Sequence, residues 1–169
     1  MNVVIRKKEL KDCAACERVT TLGWQQTYHG IVNDEFLNGL DENEAERTNK
    51  AIKKFNNMED KIYVLEVDSK VVGFVRFGIS KDENYQKLGE IRALYIIDGF
   101  KGYGFGKKLF IKATEILKAQ GFDKMIIGCL EGNKSNEFYK HMGGIKVGIR
   151  YFEKTGQKLV ENIYYFEKL

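Results

Sequence analysis

A chain of 169 residues, 43% hydrophobic and 31% charged, has the size and composition of one soluble globular domain with a core of its own. Its formal net charge of +4 suits an anionic ligand, but the basic residues are scattered, so the sequence predicts no nucleic-acid partner. No apolar run approaches the roughly 18 residues of a membrane span, MNVVIRKKELKD lacks a signal-peptide core, and the cysteines fit no disulfide framework. The expectation is a cytoplasmic protein with reduced thiols and no membrane contact.

NVVIRK alternates apolar and polar residues and predicts a first strand. The spacing of Leu10, Ala14, Val19, Leu22 and Trp24 predicts an amphipathic helix running towards Tyr28. From Tyr28 to Asn57 the chain reads as helical pieces broken at Gly30 and Gly39. In the last piece Asp41, Glu42 and Glu44 precede Lys50, Lys53 and Lys54, the order that complements a helix dipole. KIYVLEVDSKVVGFVRFGI holds two β-rich runs around Asp68-Ser69-Lys70, a hairpin signal. KLGEIRALYII predicts a third strand of this series, with Glu90, Arg92, Leu94 and Ile96 on one face.

FKGYGFGKKLF follows, with glycines at alternate positions where a helix begins; Leu109, Phe110, Ala113, Ile116 and Leu117 form its stripe and Gly121 its stop. KMIIGCL predicts a strand buried on both faces. Strand, glycine loop, helix and strand together predict a parallel crossover. NKSNEFYKHMGG then reads as a short helix closed by glycines, and IKVGIRYFE with KLVENIYYFE as a last hairpin around Thr155-Gly156. The fold class is α+β: one domain over residues 1–169, with a mixed, mostly antiparallel sheet of six to seven strands and helices on both faces. Tyr151, Phe152, Tyr164, Tyr165 and Phe166 are more aromatics than one sheet face hides, which leaves a homodimer open.

The glycine loop fits neither common nucleotide motif. In the P-loop pattern, Lys101 stands where the first glycine belongs and Lys108 where a hydroxyl is needed; Gly102, Gly104 and Gly106 are also too closely spaced for a dinucleotide fingerprint. The physics survives. Glycines at a helix N-terminus let unpaired amides approach an anion, and Lys101, Lys107 and Lys108 add charge, so phosphate or pyrophosphate is the expected guest.

EIRALYIIDGFKGYGFGKKLF resembles the central motif of the GNAT superfamily, the acetyl-CoA-dependent N-acetyltransferases, with its basic residue and glycines at Lys101, Gly104 and Gly106. NKSNEFYKHMGG resembles the family's second block at Asn133, Ser135, Phe138, Tyr139 and Gly143, and GWQQTYHGI is similar to the first-helix signature of bacterial members. The resemblance covers nearly the whole chain. Lys101 replaces the usual Arg or Gln, Asp98-Gly99 stands where a proline often lies, and Gly144 replaces an aromatic residue, which predicts looser packing beneath the last hairpin.

The resemblance implies a cofactor site for acetyl-CoA made of Lys101, Gly102, Tyr103, Gly104, Phe105, Gly106 and Lys107 for the pyrophosphate. Leu94, Tyr95 and Ile96 would pair with the pantetheine arm, and Asn133, with Asn136 as a weaker candidate, would bond it from the other side. Tyr139 is the expected general acid for the leaving thiolate, because a phenol ionises at about 10 and a thiol near 8.5. Glu90 is the candidate base, with a strand-end pair to Arg92 as the alternative, and Trp24 and Tyr28 would border the cleft for a small-molecule or peptide amine. Cys13 and Cys16 make a C-x-x-C without a second pair, so no metal is expected, and His29 and His141 read as surface or capping residues. A non-catalytic acyl-CoA sensor, or a binder of another phosphate ligand, are the readings that compete with an enzyme.

Overall fold

In the computed structural model, which describes residues 1–169, Asp68 and Ser69 both take positive φ (48° and 66°) and turn β2 (Lys61–Val67) back into β3 (Lys70–Ile79). That backbone matches the twist of two antiparallel strands, which is why the Asp-Ser-Lys signal yields a hairpin. β1 (Val3–Lys7) pairs with β2, and β4 (Gly89–Ile96) with β3, both antiparallel. α4 (Phe105–Ala119) crosses over to β5 (Met125–Leu130), which runs parallel to β4. β6 (Ile145–Phe152) and β7 (Leu159–Phe166) complete a seven-stranded sheet of order β1-β2-β3-β4-β5-β7-β6.

Helices cover both faces. On one, α1 (Cys13–Tyr28) lies so close that a Cβ at Gly23 would stand 3.0 Å from the Tyr95 ring. On the other, α4 lies against β4, where a Cβ at Gly89 would meet Leu117 at 3.0 Å. The core between α4 and the sheet joins Leu109, Ala113 and Leu117 to Phe77, Ile91, Met125 and Ile127, all buried. α5 (Ser135–His141) shares this face through Tyr139 and Phe138. A smaller apolar cluster of Tyr28, Val32, Leu37, Leu40 and Leu130 closes the far end of α1. No helix is long and apolar enough to cross a membrane.

Four expectations change. Gly39 lies inside α2 (Asp34–Glu42); the break before α3 (Glu44–Lys54) falls at Asn43, because Leu37 and Leu40 stay buried across the glycine. Glu90, Arg92, Leu94 and Ile96 do not share a face. Ile91 pairs with Phe77 and Ala93 with Arg76, so Arg92 is a one-residue bulge that shifts the alternation and puts Leu94 and Ile96 beside Ile91. Gly144 does not loosen the hairpin: a Cβ there would stand 2.8 Å from Phe166 Cζ, so that ring takes the space an aromatic residue would fill. Of the hairpin aromatics, Tyr164 and Phe166 are buried and Phe152 packs on the smaller cluster; the exposed apolar row on β6 is Ile145, Val147, Ile149 and Tyr151.

The parallel pairing of β4 and β5 has three registered pairs, Gly89↔Met125, Glu90↔Ile126 and Ile91↔Ile127. Beyond them both strands continue with other partners, β4 against β3 as far as Ile96 and β5 against β7 as far as Leu130. The sheet is therefore split in its middle from Arg92 onwards, and one edge of β4 faces the split without a strand partner.

Candidate active site

The split opens into a cleft of about 910 Å³ lined by the end of β4, the glycine loop, the end of β5 and the start of α5. Its far end is set by the loop. Gly102 (φ 85°) and Gly104 (φ 76°) are left-handed, and at both positions a Cβ would meet nothing within 4 Å, so conformation alone requires glycine there. Gly104 caps α4, whose first turn therefore includes Phe105 and Gly106 from within the glycine stretch. The first helical bond runs from Lys108 N–H to the Gly104 carbonyl (3.2 Å). No carbonyl of the chain accepts from the amides of Gly102, Tyr103, Gly104, Phe105, Gly106 or Lys107. Consecutive free N–H groups at the positive end of a 15-residue helix form an anion cradle. Lys101 and Lys107 line it; Lys101 Nζ pairs with Asp98 Oδ1 at 2.6 Å, and Gln26 Oε1 accepts from Asp98 N–H, tying the loop to α1. Tyr103 stacks on Phe105 (5.6 Å) and is more than half exposed.

Leu94, Tyr95 and Ile96 line the cleft along the unpaired edge of β4. Opposite them stand Asn133, Phe138 and Tyr139. Asn133 Oδ1 accepts from Ser135 N–H (2.8 Å), which fixes the start of α5, and Nδ2 reaches the Tyr28 hydroxyl at 3.4 Å. Tyr139 is buried, with its ionisation pushed well above that of a free phenol, first by burial and then by the fields of Cys129 and Tyr95. It holds its proton across the whole physiological range. Tyr28 is raised in the same way, again first by burial. Tyr95 is pushed up to about 12, first by burial.

The remaining expected residues lie elsewhere. Asn136 is absent from the cleft wall: its Nδ2 donates to the carbonyls of Leu130 (2.9 Å) and Asn133 (2.7 Å), and its Oδ1 accepts from Tyr164 (2.7 Å) and Asn162 (3.1 Å). Trp24 is also behind the wall, packed on Tyr28, Phe36 and Phe152 at centroid distances of 4.6 to 5.8 Å. Glu90 is buried and does not line the cleft; Arg92 Nη1 donates to it at 3.0 Å and Arg150 Nη2 at 2.7 Å. Arg92 in turn holds Asp60 (2.9 and 3.1 Å) and the Ile79 carbonyl, while Arg150 holds Glu161 (3.0 Å) and Asp82 (3.2 Å). Two glycines make room for this network: a Cβ at Gly78 would fall onto the Asp60 carboxylate, and one at Gly128 onto that of Glu161.

Arg92, Gly128 and Cys129 line the cleft without having been expected there. The signal for Gly128 is a glycine inside an otherwise apolar strand, which marks a close approach. The Cys129 thiol is pushed up to about 12, first by burial and then by Glu161, so it is a packing group rather than a nucleophile. Cys13 and Cys16 are buried in α1, and nowhere do three side chains of metal-binding type come together.

Residues 24–143 match the sequence profile of the acetyltransferase (GNAT) family. The uncharacterized N-acetyltransferase YuaI of Bacillus subtilis is 29% identical over 159 residues, 94% of this chain and 90% of its own length. Among solved structures, the PaiA N-acetyltransferase of Thermoplasma acidophilum in complex with coenzyme A superposes with a TM-score of 0.70 at 20% identity, covering 96% of this chain and 98% of that one. A GCN5-related N-acetyltransferase of Rhodopseudomonas palustris gives 0.77 at 14% identity, over 100% and 97% of the two chains.

Proposed function

The chain belongs to the acetyltransferase (GNAT) family, and we propose that it transfers an acetyl group from acetyl-CoA to a primary amine by direct attack on the thioester. The observation that carries this reading is the run of free amides from Gly102 to Lys107, which opens into one cleft with an unpaired strand edge and a buried, neutral tyrosine. An anion cradle, an edge for an amide-bearing arm and a proton donor are what a pyrophosphate-linked thioester asks of a protein.

Acetyl-CoA supplies the acetyl group as a thioester. Gly102 to Lys107 offer their amides, and Lys101 and Lys107 their charge, to the pyrophosphate. Leu94, Tyr95 and Ile96 present the free edge of β4 to the pantetheine amides, and a backbone N–H there faces the carbonyl oxygen as charge develops on it. Asn133 contributes from the opposite wall. Tyr139 keeps its hydroxyl proton ready for the departing sulfur; no hydrogen bond holds that hydroxyl elsewhere. Glu90, expected as the base, acts in this reading by holding Arg92 and Arg150 in place. Tyr28 borders the amine's side of the cleft, and Trp24 supports Tyr28.

Thermal unfolding with acetyl-CoA, ATP and NAD tests the binding half. Acetyl-CoA at 100 times its dissociation constant should stabilise by about 2.7 kcal/mol, roughly 5 to 10 °C at this size, and the other nucleotides should not. Release of CoA thiol with an amine panel tests the transfer half, and Tyr139→Phe should lower kcat about 100-fold while keeping the acetyl-CoA shift. A shift without turnover would mark a sensor rather than an enzyme. No shift at saturating acetyl-CoA contradicts the reading.

A further inference from the structure

Glu90 is enclosed, so the acceptor side of the cleft has no obvious carboxylate to meet an incoming ammonium. Glu161 on β7 supplies one. It lies across β5 at Gly128, a position whose backbone lines the cleft and whose missing side chain is the space the Glu161 carboxylate occupies, with Arg150 Nη2 beside it. Neither Glu161 nor Glu90 is part of the cleft wall itself, but Glu161 lies directly behind Gly128, which is, and its side chain is 15% exposed against 5% for Glu90. Arg150 is its only side-chain partner, donating from Nε at 3.0 Å and from Nη2 at 3.2 Å, so its oxygens keep acceptor capacity that Glu90 has given to two arginines. It is near enough to two cleft residues to help raise the ionisation of the Tyr95 phenol and the Cys129 thiol. The surrounding network joins the carboxylates of Asp60, Asp82, Glu90 and Glu161 to only three guanidiniums, those of Arg76, Arg92 and Arg150. One positive charge is missing, and a cationic ligand would restore the balance.

We propose that Glu161, seated over Gly128 and oriented by Arg150, is the acceptor-binding carboxylate, and that the acceptor is an amine that arrives as a cation. The assignment rests on the acetyl-transfer reading above. Glu161 pairs with the ammonium and takes one of its protons, leaving the neutral amine. Nitrogen then bonds to the thioester carbon as the carbon–sulfur bond breaks. A second proton passes to the sulfur to give CoA thiol, the third stays on the amide, and the proton on Glu161 returns to water.

The test compares wild type with Glu161→Gln, Glu161→Asp, Gly128→Ala and Asp82→Asn, using spermidine, kanamycin, lysine and a short peptide with a free N-terminus. Binding of the amines is measured by calorimetry with CoA present, and turnover by thiol release. Glu161→Gln should weaken amine binding about tenfold and raise the acceptor KM similarly, with the KM for acetyl-CoA unchanged; Glu161→Asp should recover part of the loss. Gly128→Ala, whose Cβ would displace both the Glu161 carboxylate and Arg150 Nη2 without removing either, should give the same pattern, because both displaced groups are the free ends of flexible side chains. Asp82→Asn, which removes the same charge from the network but leaves the Glu161 carboxylate in place, should weaken amine binding by no more than about threefold, and a loss equal to that of Glu161→Gln would overturn the assignment in favour of net charge alone. Amine affinity and KM unchanged in Glu161→Gln overturn the assignment while leaving the transfer reading intact. A wild type that turns over none of the amines overturns the transfer reading for cationic acceptors, and this assignment with it.

Discussion

The two regions that meet at the cleft are built from different materials. The side at the glycine loop and the β4 edge is backbone: free N–H groups from Gly102 to Lys107 and a strand edge from Arg92 to Ile96, with little side-chain chemistry beyond two lysines. The region around Glu90, which touches the cleft only through Arg92 and otherwise lies behind its wall, is made of side chains, a chain of carboxylates and guanidiniums running from Asp60 on the approach to β2, through Arg92 and Glu90, to Arg150 and Glu161 on the last hairpin. Backbone recognition depends on glycine spacing and helix placement, so it reads out a ligand common to many proteins. Side-chain recognition depends on pairs distant in sequence, so in the proposed reading it is where one acceptor is told from another.

The largest effect expected on this comparison falls on the side-chain half. Asp60 has a side chain only 4% exposed and accepts from Arg76 at 2.7 Å and from Arg92 at 2.9 and 3.1 Å. Asp60→Asn should destabilise by about 2–3 kcal/mol in urea unfolding near pH 7, because the mostly buried Arg92 is left with only Glu90 as its charged partner, while Arg76, 44% exposed, is answered in part by water. Burial alone would raise the Asp60 carboxyl, but the hydrogen bonds from Arg92 and Arg76 outweigh it and hold it below the ordinary value. Its contribution is thus complete above its ordinary 3.8 and lost as pH falls below that value through the lowered folded one. Wild type should lose more stability between about pH 5 and pH 2 than Asp60→Asn does.

A smaller effect is expected on the backbone half. Gly104→Ala forces a left-handed alanine at φ 76° without steric contact, so it should cost about 1–2 kcal/mol, visible as a lower melting temperature, and weaken acetyl-CoA binding as the cap relaxes. An unchanged melt would mean the loop is not held in the conformation described. The smallest belongs to Lys101→Ala. The lysine is half exposed and already paired with Asp98, so acetyl-CoA affinity should fall by only about two- to fivefold, and less at high salt.

The sequence made the backbone half legible and the side-chain half largely not. Alternation and helical spacing placed the elements, because each depends on neighbours a few residues away. The glycine cradle was legible for the same reason: conformation and free amides are local properties. The bulge at Arg92 was not, since it is a register shift against Arg76 and Phe77 on β3, and the enclosure of Glu90 depends on Arg150, 60 residues distant. Asn136 looked like a ligand contact by its place after β5, yet Tyr164 and Asn162 on β7 take its oxygen. Trp24 and Tyr28 are one helical turn apart; the hydroxyl already favoured Tyr28 for the site, while Trp24 could equally be core, and the position of Phe152 and Phe36 around Trp24 makes it the packing residue.

The central claim is that free backbone amides, rather than side chains, hold the acetyl donor. Amide hydrogen exchange, read residue by residue by NMR with and without acetyl-CoA, addresses it directly. Slowed exchange confined to Gly102–Lys107 and the edge of β4 is the predicted result. Exchange at those amides unchanged by saturating acetyl-CoA, with protection appearing elsewhere, would contradict it.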